Sequence, residues 1–327
     1  MKSRELATHI YTADPSAHEF NGRLYVYPSH DRDIDVAYSD EGDEYLMEDY
    51  HVLSMDGPDA EVIDHGIALH VDDVQWASKQ MWAPDAHEKN GKYYLYFPAR
   101  DKENNFRIGV AVGDKPEGPF VPEKDYIKGS FSIDPCVFKD DDGSYYVGFG
   151  GLWGGQLEKW QTGSFVADAE GPKGDEPALC AKIAKLTGDM LQFDGGVHDI
   201  QVVDKDGKPL TAGDEERRYF EGPWIHKYNG KYYFSYSTGT THCIVYATAD
   251  NVMGPYTYQG VILTPVEGWT THHSIVEFKG KWYLFYHDCE RSKGINNKRS
   301  VKMAEITYNE DGTIQTLVPD ESLIGKR

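Results

Sequence analysis

Five times along the chain an alternating apolar run breaks at a glycine and then resumes. The runs are ADPSAHEFNGRLYVYPSHD from Ala13, WAPDAHEKNGKYYLYFPARD from Trp82, SIDPCVFKDDDGSYYVGFGG from Ser132, FEGPWIHKYNGKYYFSYSTG from Phe220 and HHSIVEFKGKWYLFYHDCE from His272. Alternation with a period of two predicts half-buried strands. Asn-Gly between two such runs predicts a two-residue hairpin turn, because both residues tolerate positive φ. The turn glycines Gly22, Gly91, Gly143, Gly230 and Gly280 are 69, 52, 87 and 50 residues apart. The shorter of these spacings suit one four-stranded blade with its connections, so the pattern predicts an all-β, five-bladed β-propeller. A second echo supports the repeat: AVGDKPEGPF from Ala111 and ATADNVMGPY from Ala247 follow their hairpins at similar distances.

The repeats run from residue 13 to 290 of 327 and leave no room for a separate module, so the expectation is a single domain over 1–327. Residues 1–12 are expected to close the ring against the last strand, KRSVKMAEITYNEDGTI from Lys298. The interval from Trp153 to Tyr219 departs from the repeat. It is read as outer strands and insertions that wall one side of a cleft. The acidic run from Asp40 to Asp49 reads as a solvated loop, and the Asp140–Gly143 run as an acidic turn.

Composition narrows the function. Aromatic residues make up 13% of the chain, with 23 tyrosines, which suits strand faces and sugar-contacting surfaces. Thirty-three basic against 54 acidic side chains give a net charge of −21, which argues against nucleic acid and anionic membranes as partners. Cys136, Cys180, Cys243 and Cys289 lack metal-ligand spacing and are expected to be reduced thiols, mostly buried. The N-terminal stretch has no signal-like apolar core and no run approaches membrane-spanning length, so a soluble, cytoplasmic protein is expected.

In a propeller the innermost strands line the central axis, so the residues that begin equivalent hairpins gather at one mouth of the channel. Asp14, Asp134, Glu221 and His272 or His273 should therefore converge, with Trp82 and Trp153 offering apolar faces for a sugar ring. Asp85 matches Ser16 in the repeat rather than Asp14, and is read as a supporting residue. Carboxylates crowded together push their pKa values apart, leaving one protonated and another ionised near neutrality. That is the equipment for acid/base cleavage of a glycosidic bond.

These residues resemble a known family. Asp14 in ADPS, Asp134 in SIDP, Glu221 in FEGP, Trp82 in WAPD and the late RSV and NEDGTI segments are similar to glycoside hydrolase family 43, five-bladed propellers that invert the anomeric centre. The resemblance implies Asp14 as general base, Glu221 as general acid and Asp134 as the residue that tunes and orients. It also implies a calcium ion near the axis with a fifth-blade histidine as protein ligand, for which His272 and His273 both match. Arg299 resembles the arginine placed against the sugar, and His30 and Asp31 fall where family members shape the same pocket.

Within the family, HHSIVEFKGKWYLFYHD and the single-domain length look most like the β-xylosidases with α-L-arabinofuranosidase activity. The expectation is an exo-acting enzyme that releases xylose or arabinose from xylo- or arabino-oligosaccharides. The missing C-terminal sandwich domain leaves the pocket's lid and the oligomeric state, a homo-oligomer included, open. An endo-α-1,5-L-arabinanase, a retaining fructan-processing propeller and a non-catalytic sugar-binding propeller are the alternatives.

Overall fold

The computed structural model describes residues 2–39 and 41–319, and within them five sheets follow one another along the chain, antiparallel except for a short parallel edge pair between Val202–Val203 and Tyr256–Leu263. The first sheet is built from Tyr11–Phe20, Arg23–Asp31, Asp49–Met55 and Ile63–His70, paired in that order. The second centres on Asp85–Lys89, Lys92–Asp101 and Phe106–Gly113, and the third on Cys136–Lys139, Tyr145–Phe149, Ala181–Lys185 and His198–Ile200. Glu221–Tyr228, Lys231–Ser237, Ile244–Ala249 and Tyr256–Leu263 make the fourth. His273–Phe278, Lys281–Asp288 and Ser300–Ile306 make the fifth. Helix in the described residues amounts to three short 3-10 turns.

The turns explain why the hairpins form where they do. Asn21-Gly22, Asn90-Gly91, Asn229-Gly230 and Lys279-Gly280 all hold both residues at positive φ, between 48° and 81°. That double left-handed geometry matches the twist of the flanking strands. It also fixes register: Phe20 pairs with Arg23 and Tyr228 with Lys231, so each hairpin turns the same alternate residues inward.

The N-terminal segment closes the ring. Arg4–Glu5 pairs antiparallel with Ser300–Ile306, so the fifth blade takes its outermost strand from the beginning of the chain. No covalent closure is needed, because the first and last parts of the chain share one sheet.

The apolar core is divided into seams between neighbouring blades. Phe20, Tyr27, Leu95 and Phe97 join the first blade to the second, and Tyr96, Val110, Val137 and Val147 join the second to the third. Phe138, Ile183, Ile225 and Phe234 join the third to the fourth, and Trp224, Tyr233, Ile275 and Leu284 the fourth to the fifth. Ala17, Leu24, Val26, Phe285 and Val301 complete the circle. Each large side chain buried in a seam contributes about 1.5–3 kcal/mol, so every blade is held from both sides.

The four cysteines are free; Cys136 and Cys289 are buried, Cys180 and Cys243 half-buried. No helix among the described residues is long and apolar enough to cross a membrane.

Candidate active site

Asp14, Asp134 and Glu221 line one pocket, together with Trp82, Trp153, His272 and Arg299. The backbone aims two of the acids. Asp14 and Asp134 have φ of 49° and 59°, a left-handed conformation that non-glycine side chains seldom adopt. The strand register slips between Ala13 and Ser16 and again between Glu221 and Trp224, so both slips are β-bulges at the hub end of an innermost strand. A bulge re-aims a side chain, here out of the sheet and toward the axis. The Asp-Pro pair of the first and third hairpins is therefore a mark of strain at a working residue.

Asp14 is held by three groups. Its backbone N–H donates to His287 Nδ1 at 2.9 Å, and its Oδ2 accepts from Ser29 Oγ at 2.6 Å. Arg299 Nη1 donates to Oδ1 at 3.1 Å, while His287 Nδ1 lies 3.4 Å from the same oxygen. That last contact is not an ion pair. His287 Nδ1 is occupied as an acceptor, and burial plus the Arg299 charge push the ring down to about 3, so it is neutral. Its Nε2–H donates to the carbonyl of Thr270 at 3.0 Å, which fixes the tautomer.

Arg299 is itself clamped. Its Nε and Nη2 grip both oxygens of Asp31 at 2.8 Å, its backbone N–H donates to Asp31 at 2.9 Å, and its guanidinium lies 4.9 Å from the centre of the Tyr45 ring. A planar fork satisfied on one side by a buried carboxylate leaves Nη1 for the other, where it donates to Asp14 and to Thr270 Oγ1, both at 3.1 Å.

The three acids are pushed apart in proton affinity. Burial alone would raise Asp14, but Arg299, the neighbouring histidines and Ser29 outweigh it and hold the carboxyl at about 2. Glu221 is raised to about 8, first by burial and then by the negative charge of Asp14, against a smaller pull from Arg299. Asp134 is raised well above the carboxylate range by burial and by Glu221 and Asp14, although Gly222 N–H donates to its Oδ2 at 2.9 Å. At neutral pH the site therefore sets an ionised Asp14 beside a protonated Glu221.

The walls combine predicted and unpredicted residues. Trp153 is 47% exposed, stacks on Trp269 with centroids 6.1 Å apart and meets Phe220 edge-on at 5.0 Å. Trp82 is 9% exposed and donates its indole N–H to Tyr45 O at 2.9 Å, so it shows an edge to the pocket and belongs to the small core of Tyr45, Met47, Phe106 and Ile133 beneath it.

Four expectations need correction. His30 does not line the pocket: its Nδ1 bonds Asp49 at 2.7 Å, because strand alternation turns it to the face opposite Asp31. Asp31 does not line it either and acts through Arg299. His273 also turns away, its Nε2 bonded to Ser235 Oγ at 2.6 Å, whereas His272 faces the pocket 3.8 Å from Asp134. The acidic run is also more than a solvated loop. Asp40 lies outside the described residues, but Glu44 is buried and, with Tyr45 and Met47, lines the pocket.

The family model for glycosyl hydrolases family 43 matches residues 64–314. Xylosidase/arabinosidase 43A of Humicola insolens is 62% identical over 326 residues, which cover 96% of this chain and 99% of the relative. A xylosidase/arabinosidase of Bacteroides ovatus is 55% identical over 97% of this chain and 98% of its own. Among solved structures, CoXyl43, a β-xylosidase/α-arabinofuranosidase from a compost microbial metagenome in complex with xylotriose and in calcium-free form, superposes with a TM-score of 0.95. It is 59% identical, with 97% of each chain covered. A Xanthomonas citri enzyme of the same family, complexed with xylotriose, gives 0.93 at 53% identity, with 98% of this chain and 96% of that one covered.

Proposed function

We propose that this chain, which belongs to glycosyl hydrolases family 43, is an inverting exo-glycosidase that removes xylose or arabinose from the ends of hemicellulose oligosaccharides. The observation that carries this reading is the split between two carboxyls of one pocket. Asp14 stays ionised under Arg299 and Ser29, and Glu221 stays protonated by burial beside Asp14.

Glu221 gives its proton to the glycosidic oxygen as the bond to the anomeric carbon breaks. Asp14 takes a proton from a water whose oxygen attacks that carbon from the opposite face, so the product leaves with inverted configuration. Asp14 ends protonated and Glu221 ionised, and exchange with solvent restores both. Asp134 acts through position, since its bond to Gly222 N–H fixes the residue next to the acid. Arg299 keeps Asp14 basic only in the sense of ionised; its direct partner in the ground state is the carboxylate itself.

The half-exposed Trp153 and the wall of Tyr38, Ser39, Glu44, Tyr45 and Met47 support a closed pocket for one sugar, with the rest of the substrate projecting outward. Xylose and arabinofuranose offer similar hydroxyl patterns, so one pocket accommodates both.

Calcium fits this site through His272. Both ring nitrogens of His272 are buried without a hydrogen-bond partner, so a lone pair is free to face a cation or one of its waters. One imidazole with waters makes a weak calcium shell, and the bound charge would favour the ionised forms of nearby carboxylates.

The test is hydrolysis of p-nitrophenyl β-D-xylopyranoside and p-nitrophenyl α-L-arabinofuranoside, with EDTA and with added calcium. Turnover of one or both, lost in Glu221→Gln, supports the reading. Silence on both with calcium present, with activity on linear arabinan, would replace it by an endo-acting enzyme.

A further inference from the structure

On the first blade, away from the pocket, His30, Asp49 and His51 come together. Among the described residues they are a trio whose ligand atoms all lie within 4.8 Å of one another. Ser29 pairs with Tyr50 in the antiparallel register, so the next step sets His30 opposite Asp49, and His51 lies two residues on along the same strand. All three side chains therefore share one face of the sheet. Each is half-buried and reachable from solvent, with side-chain exposures of 21%, 14% and 13%.

Asp49 Oδ1 lies 2.7 Å from His30 Nδ1 and 3.9 Å from His51 Nε2, and the two rings are 4.7 Å apart. Ligand atoms at the corners of a tetrahedral zinc site are about 3.3 Å apart, given metal–ligand bonds near 2.0 Å. The observed pair of distances brackets that value, so small side-chain rotations suffice.

A second observation points the same way. His51 Nδ1 lies 2.9 Å from Asp64 Oδ1, and a carboxylate can only accept, so Nδ1 carries the proton and Nε2 presents its lone pair toward Asp49. Asp64 is in turn fixed by His9 Nε2 at 2.7 Å and by Gly66 N–H at 2.8 Å. A carboxylate behind an imidazole, itself held by further donors, is the outer-shell arrangement that sets the tautomer of a metal-binding histidine.

We propose that His30, Asp49 and His51 form a binding site for a zinc-class divalent transition metal, with Asp64 orienting His51 and an open position left for water. The ion takes the place of the proton that His30 Nδ1 shares with Asp49. Two imidazoles and one carboxylate select late first-row metals over calcium or magnesium, which prefer oxygen. The site ties two adjacent strands of the first blade together, and one of them continues from His30 into Asp31, the partner of Arg299.

The experiment is calorimetric titration of the intact protein with zinc chloride in saturating calcium, beside His51→Gln and Asp64→Asn. We expect one saturable zinc site, lost in His51→Gln, weakened ten- to hundredfold in Asp64→Asn and retained in His272→Ala. A zinc isotherm unchanged by His51→Gln overturns the proposal. If that variant does not fold, anomalous diffraction at the zinc edge from crystals of the unmodified protein decides. A peak among the three side chains supports the site, and peaks only elsewhere exclude it.

Discussion

Arg299 Nη1 donates to Asp14 Oδ1 across 3.1 Å, although 285 residues separate the two in the chain. The contact joins the strand that begins the first blade to the residue that leads into Ser300–Ile306 of the fifth, at the place where the ring closes. Ring closure and the ionisation of the proposed base therefore depend on the same pair of strands.

Replacing Arg299 by lysine keeps the charge and loses the fork that grips Asp31. Asp14 then loses part of the influence that holds it at about 2, and its pKa rises toward 3.8 and above, because burial now meets less opposition. The acid limb of kcat/KM shifts to higher pH, and activity at neutrality falls about tenfold to a hundredfold. Rate measurements from pH 3 to 9 on both proteins check this.

Glu221 governs the other limb. With its carboxyl at about 8, kcat/KM falls as pH rises past that value, and Glu221→Gln removes this limb together with most of the activity, about 10²–10⁴-fold. Stability follows the same proton. The folded protein binds it more tightly than the unfolded chain, so the contribution is complete below about 4.5 and is lost as pH rises through about 8. Tm of the glutamine variant should therefore gain on wild type across that window and run parallel below it. Asp14 acts in the opposite sense, its contribution present above 3.8 and lost as pH falls through about 2.

Gly222 sits at φ 62°, and a Cβ added there would lie 3.0 Å from His272 Cδ2. Gly222→Ala combines left-handed strain with a contact on the proposed calcium ligand. It should cost about 1–3 kcal/mol in chemical denaturation and raise the calcium concentration needed for half-maximal activity.

Trp153 and Trp82 separate by role. Trp153→Ala removes a half-exposed face stacked on Trp269, so KM should rise several-fold with Tm little changed. Trp82→Ala opens a cavity in the floor beneath the pocket and should cost about 3–5 kcal/mol, seen as a lower Tm.

Much of this architecture is legible in the chain because local chemistry dictates it. An Asn-Gly turn needs no distant partner, and three of them, with Asp142-Gly143 and Lys279-Gly280 completing five glycine turns at blade spacing, determine the fold before any contact is known. The residues that begin the hairpins follow from topology alone. His287, Ser29 and Thr270 escape such reading: they sit in ordinary strand or loop positions, Ser29 reaching Asp14 from the adjacent strand of its own blade, His287 and Thr270 reaching Asp14 and Arg299 only through ring closure. The SHD and YHD triplets that end two hairpins are the signal that could have found Ser29 and His287, since each sets polar side chains at the hub end of a strand. His30 shows the limit of proximity in sequence, because one step along a strand from Asp31 reverses the face it occupies. The wall around Glu44 and Tyr45 was hidden by its acidity, which resembles that of any solvated loop, while its buried positions depend on Trp82 and Arg299 from other blades.

The most direct test of the account is the configuration of the first sugar released. Xylotriose is mixed with enzyme and the anomeric proton signals are followed by NMR in the seconds to minutes before mutarotation. A single water activated by Asp14 opposite the proton from Glu221 predicts that α-xylose appears first from the β-linked substrate. β-Xylose appearing first would mean a covalent intermediate, and would contradict the assignment of Asp14 as a base.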